Sequence, residues 1–160
     1  MKKSLYFLIT LLFCITLTGC LGEKTKTYTS HGVSIDLPTS FYEKDLASVT
    51  AYLESNKAII SFIKEDFSTL EVVEITKDST LDTYAKAVLE NNKLTSEMKT
   101  QKDYQYFTYE KSASGKDFFY TSAVFKTDDA FWLVNFACEV KDKDTYKTEF
   151  LKWADTIKFE

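Results

Sequence analysis

Few side chains in this 160-residue chain can move a proton or attack an electrophile near neutral pH. Histidine occurs once, at His31, and cysteine three times, at Cys14, Cys20 and Cys138. Nucleophilic catalysis wants a thiol or hydroxyl with a base in reach, and nothing in the spacing brings His31 to Cys138. His31 reads as a loop residue. Cys138 ends a dense apolar run, Phe131-Trp132-Leu133-Val134-Asn135-Phe136-Ala137-Cys138. With no basic neighbour to activate it, it reads as a buried, inert thiol. One histidine and one free cysteine do not furnish the usual ligands of a zinc site. Asp128-Asp129 and Asp142-Lys143-Asp144 lack the ligand ladder and glycine of a calcium loop; turn residue and helix cap are their expected roles. Two carboxylates for sugar hydrolysis would meet only in three dimensions, so a hydrolase stays an alternative. Four glycines leave no phosphate cradle. The chain is therefore expected to hold no catalytic residue, no metal and no cofactor.

Aromatic residues are the unusual excess, at 16%. Tyr104 and Tyr106 share one face of a strand pattern with Thr108, and Phe107 and Tyr109 share the other. Tyrosine offers flat contact area and a polar tip at small entropy cost. Tyr104, Tyr106 and Trp132 are the candidate binding residues on that ground. Packing beneath helices is the competing role.

The N-terminus has the parts of an export signal. Lys2 and Lys3 precede an apolar stretch from Leu5 to Leu17, interrupted by Thr10 and Thr16. That stretch is shorter than the roughly 20 residues of a membrane-crossing helix. Leu17-Thr18-Gly19-Cys20 follows it and resembles the lipobox of bacterial lipoproteins. The resemblance implies cleavage between Gly19 and Cys20 and a diacylglyceryl group on the Cys20 sulfur. Two acyl chains hold stably where one holds marginally. Residues 1–19 are then the signal peptide and residues 20–30 a lipidated polar tether reaching about 35 Å when extended. Residues 31–160 form the domain.

Removing residues 1–19 leaves 141 of the 160 residues, with 18 lysines against 24 acids, a balance of −6. That length suits one domain with a real core. Arginine is absent. An acidic, arginine-free body argues against nucleic acid and against electrostatic docking on anionic lipid. With Cys20 lipidated, Cys138 has no disulfide partner.

The order of elements must position whatever site exists. Residues 31–38 read as a strand ended by Pro38, with Phe41 and Tyr42 folding back as a lid. Ser48 to Leu53 and Ala58 to Lys64 read as a hairpin, and Leu70 to Thr76 as a further strand. Leu81, Tyr84, Ala85, Val88 and Leu89 share a helical stripe over 80–93, with Ser79 and Asp82 resembling a capping box. Strands at about 104–111, 117–126 and 130–140 are joined by short turns, which makes them antiparallel neighbours. A helix over about 143–155, capped by Asp142 or Asp144, and a short strand at Ile157 to Phe159 close the chain. The fold class is α+β, an antiparallel sheet with helices. The consecutive apolar residues at 118–120 and 131–138 predict strands covered on both faces.

Gly32-Val33-Ser34-Ile35-Asp36-Leu37-Pro38 followed by Phe41 resembles the opening of PsbP-like domains. Thr80-Leu81-Asp82-Thr83-Tyr84-Ala85 resembles their mid-chain helix, and Phe150-Leu151-Lys152-Trp153-Ala154 before Ile157-Lys158-Phe159 their closing helix and strand. The resemblance covers roughly residues 28–160 and implies an α/β/α sandwich on an antiparallel sheet. It also implies a protein that binds or assembles other proteins, since that superfamily shares no catalytic site. The expected function is a non-enzymatic, lipid-anchored interaction module on the extracytoplasmic face of the cell membrane. Its partners are the membrane, through the lipid on Cys20, and an unidentified protein. The alternatives are a binder of a small apolar or amphipathic ligand and a hydrolase with paired carboxylates.

Overall fold

The computed structural model describes residues 24–160, so the export signal, Gly19 and Cys20 lie outside the described residues. Strands β1 (Thr25–Ser30), β2 (Val33–Pro38), β3 (Tyr42–Glu43), β4 (Ala51–Glu54) and β5 (Ala58–Asp66) come first. Helices α1 (Phe67–Leu70) and α2 (Leu81–Asn91) follow. Then come β6 (Lys99–Gln101), β7 (Tyr104–Ala113), β8 (Lys116–Lys126) and β9 (Ala130–Glu139), and finally α3 (Lys143–Ala154) and β10 (Lys158–Phe159). Seven strands form one sheet in the order β3-β4-β5-β9-β8-β7-β6, and three form another in the order β1-β2-β10. Each recorded pairing is antiparallel. The fold is α+β.

The apolar runs of β8 and β9 lie at the centre of the large sheet because both of their faces carry core. Side chains alternate across a strand. Trp132, Val134, Phe136 and Cys138 therefore join Phe119, Ala123 and Phe125 on one face. There they meet Val33, Ile35 and Leu37 of β2 and Phe150, Trp153 and Ala154 of α3. On the opposite face, Phe131, Val124 and Phe107 pack with Phe67, Leu70, Ile75, Tyr84 and Ala85. The small sheet and α3 thus serve one face, while α1 and α2 serve the other.

Four expectations need correction. Thr25–Ser30, expected within the tether, is strand β1, paired along its whole length with β2. A two-residue hairpin joins the pair, with His31 at φ 48° and Gly32 at φ 80°. Both residues are left-handed, as the twist-matched hairpin turn requires. Tyr28 fastens the strand by donating its hydroxyl to the carbonyls of Pro38 and Phe41. The strand was hidden because an edge strand with solvent outside needs little apolar alternation.

Leu70 to Thr76 is not a strand. After β5, Phe67 and Leu70 bury themselves at helical spacing in α1, and a single tight helical turn at Glu71–Val73 follows. Strand preference of Val72 and Val73 yields to that burial, and both valines point outward.

The helix α2 is capped one residue later than expected. Thr80 Oγ1 accepts from the Thr83 amide at 3.1 Å, while Ser79 Oγ accepts from Thr76 N at 3.0 Å. Asp142 stands at the N-cap position of α3 as expected, after a turn at Val140–Asp142, but its side chain makes no capping hydrogen bond, and Asp144 pairs with Lys147 at 2.8 Å.

The predicted aromatic lid is split. Phe41 is buried edge-on against Trp153, at 5.3 Å, whereas Tyr42 is exposed in β3.

Candidate functional site

The three aromatic candidates do converge, but inside the core. Tyr104 is 1% exposed and Trp132 3%. Tyr104 packs against Phe125 at 4.8 Å, Phe125 meets Phe159 at 5.3 Å, and Phe159 meets Trp132 at 4.9 Å. Tyr106 lies half-buried beside Tyr104 at 6.4 Å. The arrival of β10 on this face closes it over Tyr104 and Trp132, which brace the fold and offer no surface to grip, while Tyr106 stays half-exposed at its edge. Tyr104 donates its hydroxyl to Asp155 at 3.0 Å. Burial and that carboxylate push its phenol above the ordinary range. Burial alone would raise Asp155, but Lys102, Gln101 and Tyr104 donate to it and hold it below the usual carboxylate range.

The other chemistry-bearing residues are spoken for. Cys138 is a free, buried thiol whose pKa burial pushes up to about 11, aided by nearby Asp142. His31 sits exposed in the β1–β2 hairpin, with Nδ1 2.8 Å from Ser30 Oγ. Asp129 takes Lys64 Nζ at 2.6 Å and the Thr127 hydroxyl at 2.7 Å in the β8–β9 turn. Those donors hold Asp129 below its ordinary pKa.

The concavity lies on the opposite face of the large sheet. Between that face, α2 and the turn after α1 is a groove of about 680 Å³. Its floor is Ile63 and Glu65 of β5, Leu133 and Asn135 of β9, Ser122 of β8, and Phe107 and Tyr109 of β7. Leu70, Val73, Tyr84 and Val88 are among its walls. These residues share a face because β5, β9, β8 and β7 are adjacent and in register: Ile63 opposes Leu133, Ser122 opposes Asn135, and Phe107 opposes Ser122.

Electrostatically the groove is apolar with a polar centre and an acidic wall. Ser122 Oγ donates to Asn135 Oδ1 at 2.5 Å. Tyr109 stacks on Tyr120 with centroids 4.8 Å apart and planes 5° apart. Burial raises the Tyr109 phenol, with Ser122 opposing through a hydrogen bond. Tyr84 donates its hydroxyl to Glu65, and burial together with that carboxylate pushes the phenol far above its ordinary value. Glu65 and Glu90 line the groove and no lysine does. A shallower hollow of about 340 Å³ continues along the strands past Ser61, Ile59, Phe118, Tyr120 and Ala137, and shares Asn135 with the groove. Among the described residues that line it, none is an activated nucleophile. Among the described residues no cluster of histidine, cysteine and acid side chains is arranged to hold a metal.

The sequence reading missed this site, although it separated the Phe107–Tyr109 face from the Tyr104–Tyr106 face. The remaining signal was Asn135, a polar residue inside an apolar strand.

No family model matches the chain, and no curated protein matches it. Solved structures do. The solution structure of cyanobacterial PsbP (CyanoP) from Synechocystis sp. PCC 6803 has a TM-score of 0.55 at 13% identity, covering 91% of this chain and 99% of that one. A crystal structure from Bacteroides thetaiotaomicron has a TM-score of 0.54 at 13% identity over 84% of this chain. This chain spans about half of that protein, 48%. At these identities the likeness concerns the fold alone: the described residues have a fold similar to that of CyanoP.

Proposed function

We propose that this chain is a lipid-tethered, non-enzymatic binding module on the extracytoplasmic face of the cell membrane, taking a protein partner on the open half of its large sheet. The observation that carries the reading is the aromatic-lined trough opposite the small sheet from which the tether departs. A diacylglyceryl group on Cys20 after cleavage at Gly19 supplies the anchor. Because β1 begins at Thr25, residues 21–24 remain as the link, which spans about 14 Å at most. Among the described residues no helix is long and apolar enough to cross a membrane. The tether leaves from the small-sheet side and the trough opens on the other, so a bound partner need not contend with the bilayer for that surface. We read the two core interfaces as those of an α/β/α sandwich whose α2 layer is incomplete.

A second reading has its own support. The groove's volume falls in the range of about 300–1,000 Å³ typical of small-molecule sites, so a small amphipathic ligand is the alternative occupant. Paired-acid hydrolysis draws less support, because Glu65 already accepts the Tyr84 hydroxyl and Glu90, which also lines the groove, stays exposed to solvent.

Mass spectrometry of the mature N-terminus, with fractionation of wild type and Cys20→Ser, tests the anchor. A lipidated Cys20 in the membrane fraction and a released Cys20→Ser protein are expected; a product beginning before Cys20 refutes it. Crosslinking in intact membranes from Tyr120 and from exposed Thr29 tests the surface. A stoichiometric protein adduct from Tyr120 alone is expected, and equal adducts from both sites refute the assignment. A co-purifying small molecule in native mass spectrometry, without a protein adduct, favours the second reading.

A further inference from the structure

We infer that the groove between α2 and the large sheet takes an extended peptide segment of the partner in which apolar side chains alternate with basic ones. The inference rests on the protein-binding reading above and names the partner's chemistry at the same site. Three observations carry it.

The first is charge. The chain is rich in lysine, with 20 in all, yet the groove is lined by two glutamates and no lysine. Glu71 and Glu74 flank the exposed Val72 and Val73 at its rim. Nearby lysines are committed or lie beyond the wall: Lys86, one turn before Glu90, pairs with Asp82 at 2.8 Å, and Lys93 follows the helix. Tyr84 engages one oxygen of Glu65, Oε2. A cationic side chain on the partner complements this wall, whereas an acidic one is repelled.

The second is the apolar surface. Val72 is 86% exposed and Val73 59%, at the lip of a groove floored by Leu133, Ile63 and Phe107. Both valines also line the groove, so an occupant must fill it out to the lip to cover them. A chain that enters the groove and passes over the lip covers both. Burying such side chains supplies the affinity, and their clustering marks an interaction surface.

The third is the polar centre. Asn135 Oδ1 accepts from Ser122, and the side-chain amide also carries N–H donors that an acceptor on a bound segment could take. A peptide carries a carbonyl acceptor at every residue; a simple amphipathic cation carries none. This favours a peptide over a small molecule.

The test uses the full chain in zwitterionic nanodiscs and fluorescein-labelled short peptides in which leucine alternates with lysine, glutamine or glutamate, with empty nanodiscs as the blank. Anisotropy titration should rank lysine above glutamine above glutamate. The double variant Glu65→Gln/Glu90→Gln should weaken the lysine peptide by about fivefold to tenfold and leave the glutamine peptide unchanged, as two partly exposed ion pairs imply. Glu65→Gln keeps an acceptor for Tyr84, so the fold should persist. Val73→Asp, at an exposed position that carries no core, should weaken the glutamine peptide. Equal affinity for all three peptides, or binding insensitive to both variants, overturns the inference. Failure here is distinguishable from failure of the broader reading. An envelope protein crosslinked at Tyr120 but indifferent to Glu65→Gln/Glu90→Gln removes the peptide assignment and keeps the module. Absence of any protein adduct removes the module itself.

Discussion

Tyr84 is the bolt that holds α2 to the sheet, and its replacement separates two contributions. Only Tyr84 and Ala85 of α2 are buried. The Tyr84 ring lies flat on Phe131, with centroids 4.4 Å apart and planes 3° apart, and its hydroxyl donates to Glu65. Removing a buried aromatic ring costs about 3–5 kcal/mol. A hydrogen bond to a charged acceptor contributes about 1.5–3 kcal/mol; Glu65 is half-exposed in the groove, so the lower end applies. Tyr84→Phe should therefore cost about 1–1.5 kcal/mol and Tyr84→Ala about 3–5 kcal/mol. Against a typical total of about 5–15 kcal/mol, the alanine variant loses a large share of the stability. Urea unfolding followed by tryptophan fluorescence gives both values, because Trp132 and Trp153 sit in the other core cluster and report global unfolding. A loss below about 1.5 kcal/mol for Tyr84→Ala would refute the packing argument. So would equal losses for the two variants, since the ring would then contribute nothing.

Three other outcomes are expected. Cys138, with its thiol pushed up to about 11 by burial, should resist alkylation at pH 8 in the native state and react at the rate of unfolding; rapid native labelling would contradict its burial. Gly115 turns the β7–β8 hairpin at φ 78° beside Ser114 at φ 52°, so Gly115→Ala should cost about 1–2 kcal/mol in a thermal melt even though open space surrounds the new methyl; no change would mean that the turn is not left-handed. Lys116 and Lys141 hold Glu139 down to about 2 from 4.5. Its folded pKa is depressed, so its contribution is present above about 4.5 and lost as pH falls toward 2. Glu139→Gln should flatten that part of the melting-temperature profile, and molar salt should do the same because the group is exposed.

What the sequence disclosed, it disclosed through period and punctuation. The central hairpins were legible because Ser114-Gly115 and Thr127-Asp128-Asp129 are turn residues between apolar strands. The helix α2 was legible from Tyr84, Ala85 and Val88 at helical spacing. The segment Leu70 to Thr76 was not, since valines favour strands in isolation and only the burial of Phe67 and Leu70 turns that chain into helix. Strand β1 carried too little apolar signal. The candidate site failed for a different reason. Period assigns side chains to faces, and it did divide Tyr104 and Tyr106 from Phe107 and Tyr109. It does not say which face the rest of the chain will cover. The small sheet and α3 took the Tyr104 face, so the open groove fell to the other one.

Element dimensions explain why that face stays partly open. An 11-residue helix such as α2 is about 16 Å long and about 10 Å wide. The strand β8, with 11 residues, runs for about 36 Å. However α2 is turned, it spans less than half of the strand beneath it. Beyond the four-residue α1, the described residues offer no further helix for this face, because α3 is already packed against β2, β8 and β9 on the other. The uncovered portion mixes Ile59, Phe118 and Tyr120 with Ser61, Ser122 and Asn135. Polar groups interrupt it, and aromatic area remains for an incoming chain to bury. A partner on this surface would supply the layer that α2 is too short to complete. It follows that partner binding should protect the amides flanking Asn135 and those of the tight helical turn at Glu71–Val73 from exchange more than the amides of β1 and β2, whose face is already closed.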